Sequence, residues 1–159
     1  METAYALFFD IDGTLVSFNT HQIPDSTVRA LTDAKANGAQ VYIATGRPPM
    51  IITNLGAIEH LIDGYITING ALCFIDDELV CYHPIPKQDV LTCVRDAQDK
   101  GYGLIVVGRN QVAVLDPTGS VDRIFRQYLN VREFDNASPL EELLSQDVLQ
   151  LTAFFDAGY

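Results

Sequence analysis

Two aspartates one residue apart, Asp10 and Asp12, directly follow the apolar run AYALFF at positions 4–9 and directly precede Gly13. A turn facing solvent explains one acid; two at this spacing call for chemistry. In an extended chain, residues two apart point to the same side, so both carboxylates leave the end of a strand together. One can attack a phosphoryl group as a nucleophile, forming an aspartyl phosphate, while the other protonates the leaving alcohol and later deprotonates the hydrolytic water. Asp10 is assigned the first role and Asp12 the second. Gly13 lets the chain turn without a side chain in the way, and Thr14 can hydrogen-bond within the loop.

Two further clusters have the same placement. Thr45-Gly46-Arg47 ends the apolar run AQVYIA, and Asn69-Gly70 ends the run in DGYITING. In an open parallel sheet, ligands bind beyond the carboxyl ends of the strands, where loops and helix N-termini converge. The Thr45 hydroxyl and Gly46 N–H suit the non-bridging oxygens of a phosphoryl group, with Asn69 nearby. Arg47 supplies a positive charge or pairs with an acid. An anionic ester beside Asp10 needs compensating charge, for which Mg²⁺ with hard oxygen ligands is the usual solution; the Asp10 carboxylate and the Asp12 carbonyl are the local candidates. Taken singly, each cluster reads as a turn or a helix cap. Their shared position at three successive strand ends makes them one site.

The elements that must position them follow from periodicity. A strand at 4–9 is followed by a helix from Asp25 or Ser26 to Asn37-Gly38, with Val28, Leu31 and Ala34 on one face. A strand at 39–44 leads into a second helix opened by Pro48 and Pro49, with Ile51, Ile52, Leu55 and Ile58 inward. A third strand lies at 63–70. This alternation predicts an α/β domain with parallel strands and crossover helices.

The rhythm then changes. Apolar runs around an acidic turn predict a hairpin near 72–82, in which a three-residue turn sets Cys73 opposite Cys81. Pro84 and Pro86 mark a junction to an α+β module containing a helix from about Gln88 to Lys100. Two strands, LIVVG and QVAVLD, come next, then helices at SVDRIFRQYLN and PLEELLSQ and a final strand VLQLTAFF. The expected division is 1–83 and 84–159.

Composition bounds the partners. The 159 residues are 48% hydrophobic and 19% charged, with 21 acids against 10 bases and a formal charge of −11. That field repels nucleic acid and anionic membranes, so a small phosphate ester must be held by a local site. No apolar run reaches the ~20 residues that span a bilayer, and Met1-Glu2-Thr3 lacks a basic leader, so a cytoplasmic protein is expected. Cys73, Cys81 and Cys93 lack metal-ligand spacing and read as reduced thiols; a reducing compartment argues against a Cys73–Cys81 disulfide. His21, His60 and His83 are scattered and form no ligand pair.

At these residues the sequence resembles the haloacid dehalogenase-like phosphatases. FFDIDGTLV matches their first motif and IATGRP their second, while TINGA matches the stretch typical of the Cof-type branch, whose large α/β cap follows the third strand. The resemblance implies a partial Rossmann-like core plus an α+β cap module. It also implies Mg²⁺-dependent hydrolysis of small phosphorylated metabolites such as hexose phosphates. Asp10 becomes nucleophile, Asp12 acid/base and Thr45 phosphate holder.

The family also uses a third-motif lysine and a GDxxND segment carrying further metal-binding acids. Lys35, Lys87 and Lys100 do not precede such a segment, so the expectation is an N-terminal portion of a longer protein, incomplete at its C-terminus and inactive alone. Strand one then lies at a sheet edge, open to pairing with another chain. A receiver-like phosphoacceptor and a non-catalytic regulatory fragment are the competing readings.

Overall fold

A computed structural model describes residues 5–76, 78–124 and 137–155. The chain divides into two compact units, Met1–Tyr82 and His83–Tyr159. In the first, strands β1 (Ala6–Phe9), β2 (Gln40–Ala44) and β3 (Gly64–Thr67) pair in parallel, and β4 (Leu72–Ile75) and β5 (Glu78–Tyr82) add an antiparallel hairpin. The order is β1-β2-β3-β4-β5. Among the described residues β1 pairs only with β2, in the register Phe9↔Ile43, and is therefore an edge strand. The fourth and fifth strands are the hairpin on the far side of β3, so the five strands end with β1 at one edge and β5 at the other.

One face of the sheet is buried. Val41 and Ile43 join Leu31 of helix α1 (Asp25–Ala36) and the loop residues Ile11, Leu15 and Leu55 in a continuous core. On the other face Phe8 stacks on Tyr42, centroids 5.1 Å apart, with Phe8 56% exposed. α1 opens after Pro24, with no side-chain cap, instead of at an Asp25 or Ser26 cap. Pro24 is preset for extended backbone, and its carbonyl accepts from Thr27 and Val28 N–H, which leaves Asp25 as an acid in the first turn.

The second predicted helix does not form. After Pro48 the chain makes a single 3-10 turn at Pro49–Ile51, then an irregular stretch, then another at Glu59–Leu61. Two adjacent prolines remove backbone donors, and Asn54 and Gly56 follow before a second turn can propagate. Ile51, Leu55 and Ile58 are nevertheless buried, since turns and loops can present the same apolar residues to the sheet.

The hairpin has a shorter connection than predicted. Ile75 pairs with Glu78, leaving two residues between the strands, and Asp76 has φ 50°, the left-handed conformation that tight hairpins demand. A bulge between Cys73 and Phe74 takes up Val80 as an unmatched residue. Cys73 therefore still faces Cys81.

α1 is tied to the start of β3 by an ion pair. The Lys35 Nζ lies 2.6 Å from both oxygens of Asp63, whose Oδ2 also accepts from the Val41 N–H at 2.6 Å. Burial alone pushes the Asp63 carboxyl up, but the Lys35 hydrogen bond, the Val41 N–H and the Lys35 charge outweigh it and hold it below the usual carboxylate range. A depressed folded value contributes stability above the unfolded carboxylate range and loses it as pH falls through the folded value. Asp63→Asn is expected to lower stability by about 1 kcal/mol at pH 7, discounted for partial exposure, with the deficit shrinking toward pH 3. Urea unfolding at the two pH values measures it.

In the second unit β6 (Gly103–Gly108) is the middle strand of an antiparallel sheet of order β7-β6-β8, flanked by β7 (Val112–Leu115) and β8 (Val148–Phe154). Helix α2 (Lys87–Lys100) packs Val90, Val94 and Ala97 against β6 and ends on Gly101 at φ 73°. The SVDRIFRQYLN segment is described only as far as residue 124. It begins as a short helix α3 (Ser120–Asp122), and α4 (Leu140–Leu143) is a single turn. No helix among the described residues is long and apolar enough to cross a membrane.

Candidate active site

The Asp-Ile-Asp triplet is folded around its middle residue. Ile11 is fully buried, so the residues on either side are turned outward: Asp10 is exposed and Asp12 half-buried. The Ile11 carbonyl accepts from Leu15 N–H at 3.1 Å and Val16 N–H at 2.9 Å, and Gly13 N–H donates to the Val16 carbonyl at 2.9 Å. This closes a tight loop on the end of β1. Thr14 takes part through its backbone, 3.4 Å from the Ile11 carbonyl. Gly13 has φ 78°, which favours glycine, and a Cβ there would lie 2.4 Å from the Phe18 ring, which would have to turn aside.

The two carboxylates differ in their surroundings. Arg47 grips Asp12 with both forks: Nε to Oδ2 at 2.8 Å and Nη2 to Oδ1 at 2.7 Å. Its remaining Nη1 donates to the Ile51 carbonyl at 3.0 Å. Of the two roles open to Arg47, pairing with an acid is the one present. Among the described residues, no hydrogen bond or ion pair engages the Asp10 carboxylate. Arg47→Met should cost about 1–2 kcal/mol, within the range for hydrogen bonds to charged groups and reduced because Asp12 is partly exposed. Denaturant melts of the two single variants and the double variant with Asp12→Asn measure the coupling, which is expected to account for most of that loss.

Thr45 is buried. Its N–H donates to the Ile66 carbonyl at 2.9 Å, locking it beside β3, and its hydroxyl accepts from Arg47 N–H at 3.1 Å. Asn69 returns to the same place: its N–H reaches the Thr45 carbonyl at 3.3 Å, and its Oδ1 is 3.0 Å from where a Gly46 Cβ would sit. Ile68 and Asn69 both have φ 53°. Left-handed backbone at two consecutive non-glycine residues is costly, and such strain gathers where a side chain must be aimed. Asp10 and Thr45 each lie one residue beyond neighbouring strands β1 and β2, so Asp10, Asp12, Thr45, Gly46, Arg47 and Asn69 all fall at one end of the sheet.

The donors suit a hard cation in part. Asp10 offers free carboxylate oxygens, and no described backbone N–H donates to the Asp12 carbonyl, whereas the Asp12 carboxylate is taken up by Arg47. No group of three or more acidic, histidine or cysteine side chains among the described residues could enclose a metal. Two protein oxygens with water and a phosphate fit the coordination habit of Mg²⁺, which keeps much of its own hydration.

Parallel strands that deliver two acids, a buried threonine and an asparagine to their carboxyl ends define the class: an α/β protein with its site at the strand ends. The haloacid dehalogenase-like hydrolase family matches residues 7–159, and the chain belongs to it. The family expected from FFDIDGTLV and IATGRP is thus the family found.

Among solved structures, the HAD subclass IIB sugar phosphatase BT4131 is 44% identical with a TM-score of 0.82. The match covers 94% of this chain and 58% of that one. BT1666 from Bacteroides thetaiotaomicron, described among the phosphatases of the same superfamily, is 28% identical with a TM-score of 0.80, covering 96% and 56%. YkrA of Bacillus subtilis (strain 168), a candidate phosphatase, is 26% identical over 105 residues, 65% of this chain and 40% of YkrA. The chain therefore spans between two fifths and three fifths of the length of these proteins.

Proposed function

We propose that this chain carries the nucleophile-bearing part of a Mg²⁺-dependent phosphoric monoester hydrolase for small phosphorylated metabolites, hexose phosphates foremost. The observation that carries the reading is the asymmetry of the two aspartates: Asp10 is exposed and has no partner among the described residues, while Asp12 is fixed by a bidentate arginine. Asp10 attacks phosphorus and forms the aspartyl phosphate. Asp12, oriented by Arg47, passes a proton to the leaving alcohol and takes one from the hydrolytic water. Arg47 acts through Asp12, since its Nε and Nη2 are both turned onto that carboxylate. The Thr45 hydroxyl, the Gly46 N–H and the Asn69 amide hold the phosphoryl oxygens.

Mg²⁺, when bound by the Asp10 carboxylate and the Asp12 carbonyl, neutralises the charge that would otherwise repel the ester. The unit His83–Tyr159 serves as the cap that selects the substrate, and the kinship with a sugar phosphatase supports a sugar phosphate. The lysine and the further acids that the family uses are not supplied by residues 1–159.

Beryllofluoride, a phosphoryl mimic, tests the nucleophile without requiring turnover. Fluorine NMR of the chain with Mg²⁺ is expected to show an adduct that Asp10→Asn removes and that Arg47→Met retains. An adduct that survives Asp10→Asn sinks the assignment and favours another phosphoacceptor.

A further inference from the structure

The β4–β5 hairpin holds two thiols that the proposed chemistry does not use. Cys73 and Cys81 are direct partners across the strands, and both are free and half-buried. Their sulfurs converge on one acceptor, the Gly70 carbonyl, at 3.6 Å from Cys73 and 3.7 Å from Cys81. Burial, and after it the neighbouring Cys81, push the Cys73 thiol up.

Directly opposed residues in antiparallel strands have Cα atoms ~4.5–5.5 Å apart, within the ~4.4–6.8 Å that a disulfide spans. The bulge at Val80 brings this about, since without it the partner of Cys73 would be Val80. It also leaves the strand locally unmatched, and so able to adjust.

Gly70 closes the turn that carries Asn69. Ile68, Asn69 and Gly70 have φ of 53°, 53° and 91°, and the turn is held by Ala71 N–H on the Ile68 carbonyl at 3.0 Å and Asn69 N–H on the Thr45 carbonyl at 3.3 Å. The two S–H donors on Gly70 add to these restraints. Both are lost if the sulfurs join.

We propose that Cys73 and Cys81 are a reversible oxidation site that closes to an intramolecular disulfide with a small disulfide oxidant such as oxidised glutathione, freeing the Gly70 carbonyl and loosening the Asn69 turn. Cys81 thiolate attacks one sulfur of the oxidant, forming a mixed disulfide and expelling one glutathione thiolate. Cys73 thiolate attacks the Cys81 sulfur and expels the second. Two protein thiols are oxidised, one glutathione disulfide is reduced to two thiols, and the two protein protons leave with them. The exposed Cys93 has no facing thiol and stops at the mixed disulfide.

The test treats the 159-residue chain with oxidised glutathione, blocks remaining thiols by alkylation and maps the peptides by mass. The expected product carries a Cys73–Cys81 link within one chain, two hydrogens lighter, with glutathione only on Cys93, and dithiothreitol reverses it. Hydrogen exchange at the Asn69 and Ala71 amides should then be about tenfold faster than in the reduced chain. Alkylatable Cys73 and Cys81 after treatment, separate glutathione on each, or links only between chains would overturn the site. A link formed with unchanged exchange would overturn the effect on the turn. Neither readout depends on hydrolysis, so failure here is separable from failure of the phosphatase reading.

Discussion

With Mg²⁺ and a generic phosphate ester such as p-nitrophenyl phosphate, the 159-residue chain should release phosphate at the rate of the buffer control. Enzymes in general turn over at about 10 s⁻¹. We expect a rate at least about 10³-fold lower, because single preorganised donors at a reacting group are worth about 10²–10³ and several are lacking here. Among the described residues two oxygens local to the first motif are on offer to the metal, and three of the cations are engaged elsewhere. Arg47 is committed to Asp12 and Ile51, Lys35 to Asp63 and Lys100 to Asp96. A phosphoryl group on Asp10 would meet the hydroxyl and amide donors of Thr45, Gly46 and Asn69, with Lys35 and Lys100 held by other acids. Phosphate-release assays measure this. Robust hydrolysis that Asp10→Asn abolishes would show that residues 1–159 suffice.

Gly64→Ala is expected to be the most damaging small substitution in the parallel sheet, costing about 2–3 kcal/mol. A Cβ at this buried position would lie 2.9 Å from the Phe74 carbonyl oxygen, 3.0 Å from Ile75 Cγ1 and 3.1 Å from Tyr42 Cδ1. The Phe74 carbonyl belongs to β4, directly beside β3, and cannot turn aside without opening the ladder between them. Contrast Gly13, where the ring in the way belongs to Phe18, 66% exposed and able to rotate. Urea unfolding of Gly64→Ala should show a lower midpoint. Loss of the β3–β4 amide protection would trace it to that ladder, whereas stability within about 0.5 kcal/mol of the parent would contradict the close approach.

Local signals read well where they depend on a few neighbouring residues. The strand ends before Asp10 and Thr45 were legible because each apolar run stops at a polar cluster, whereas the third strand stops at Thr67 and Asn69 sits in the 3-10 turn after it. α2 was legible from Val90, Val94 and Ala97 at helical spacing. The helix after Pro48-Pro49 was misread because Ile51, Leu55 and Ile58 keep nearly the same spacing in turns that bury them one by one. Periodicity reports which residues go inward, not which hydrogen bonds close the backbone. The Lys35–Asp63 pair and the capping of α3, where Asp116 accepts from Val121 and Asp122 N–H, left no signal, since their partners are set by the fold or the loop. Asp116 could have been flagged only as an acid shortly before a helix.

The sequence by itself placed two acids just past the end of strand one and polar clusters shortly beyond the next two strands. This follows from where each apolar run stops along the chain. Tertiary structure alone decided which acid is free and which is clamped, because Asp12 and Arg47 are 35 residues apart and meet only when β1 and β2 pair. It also decided the partner of Cys73: a two-residue turn and a bulge, acting in opposite senses, together set the register that brings Cys81 to face it.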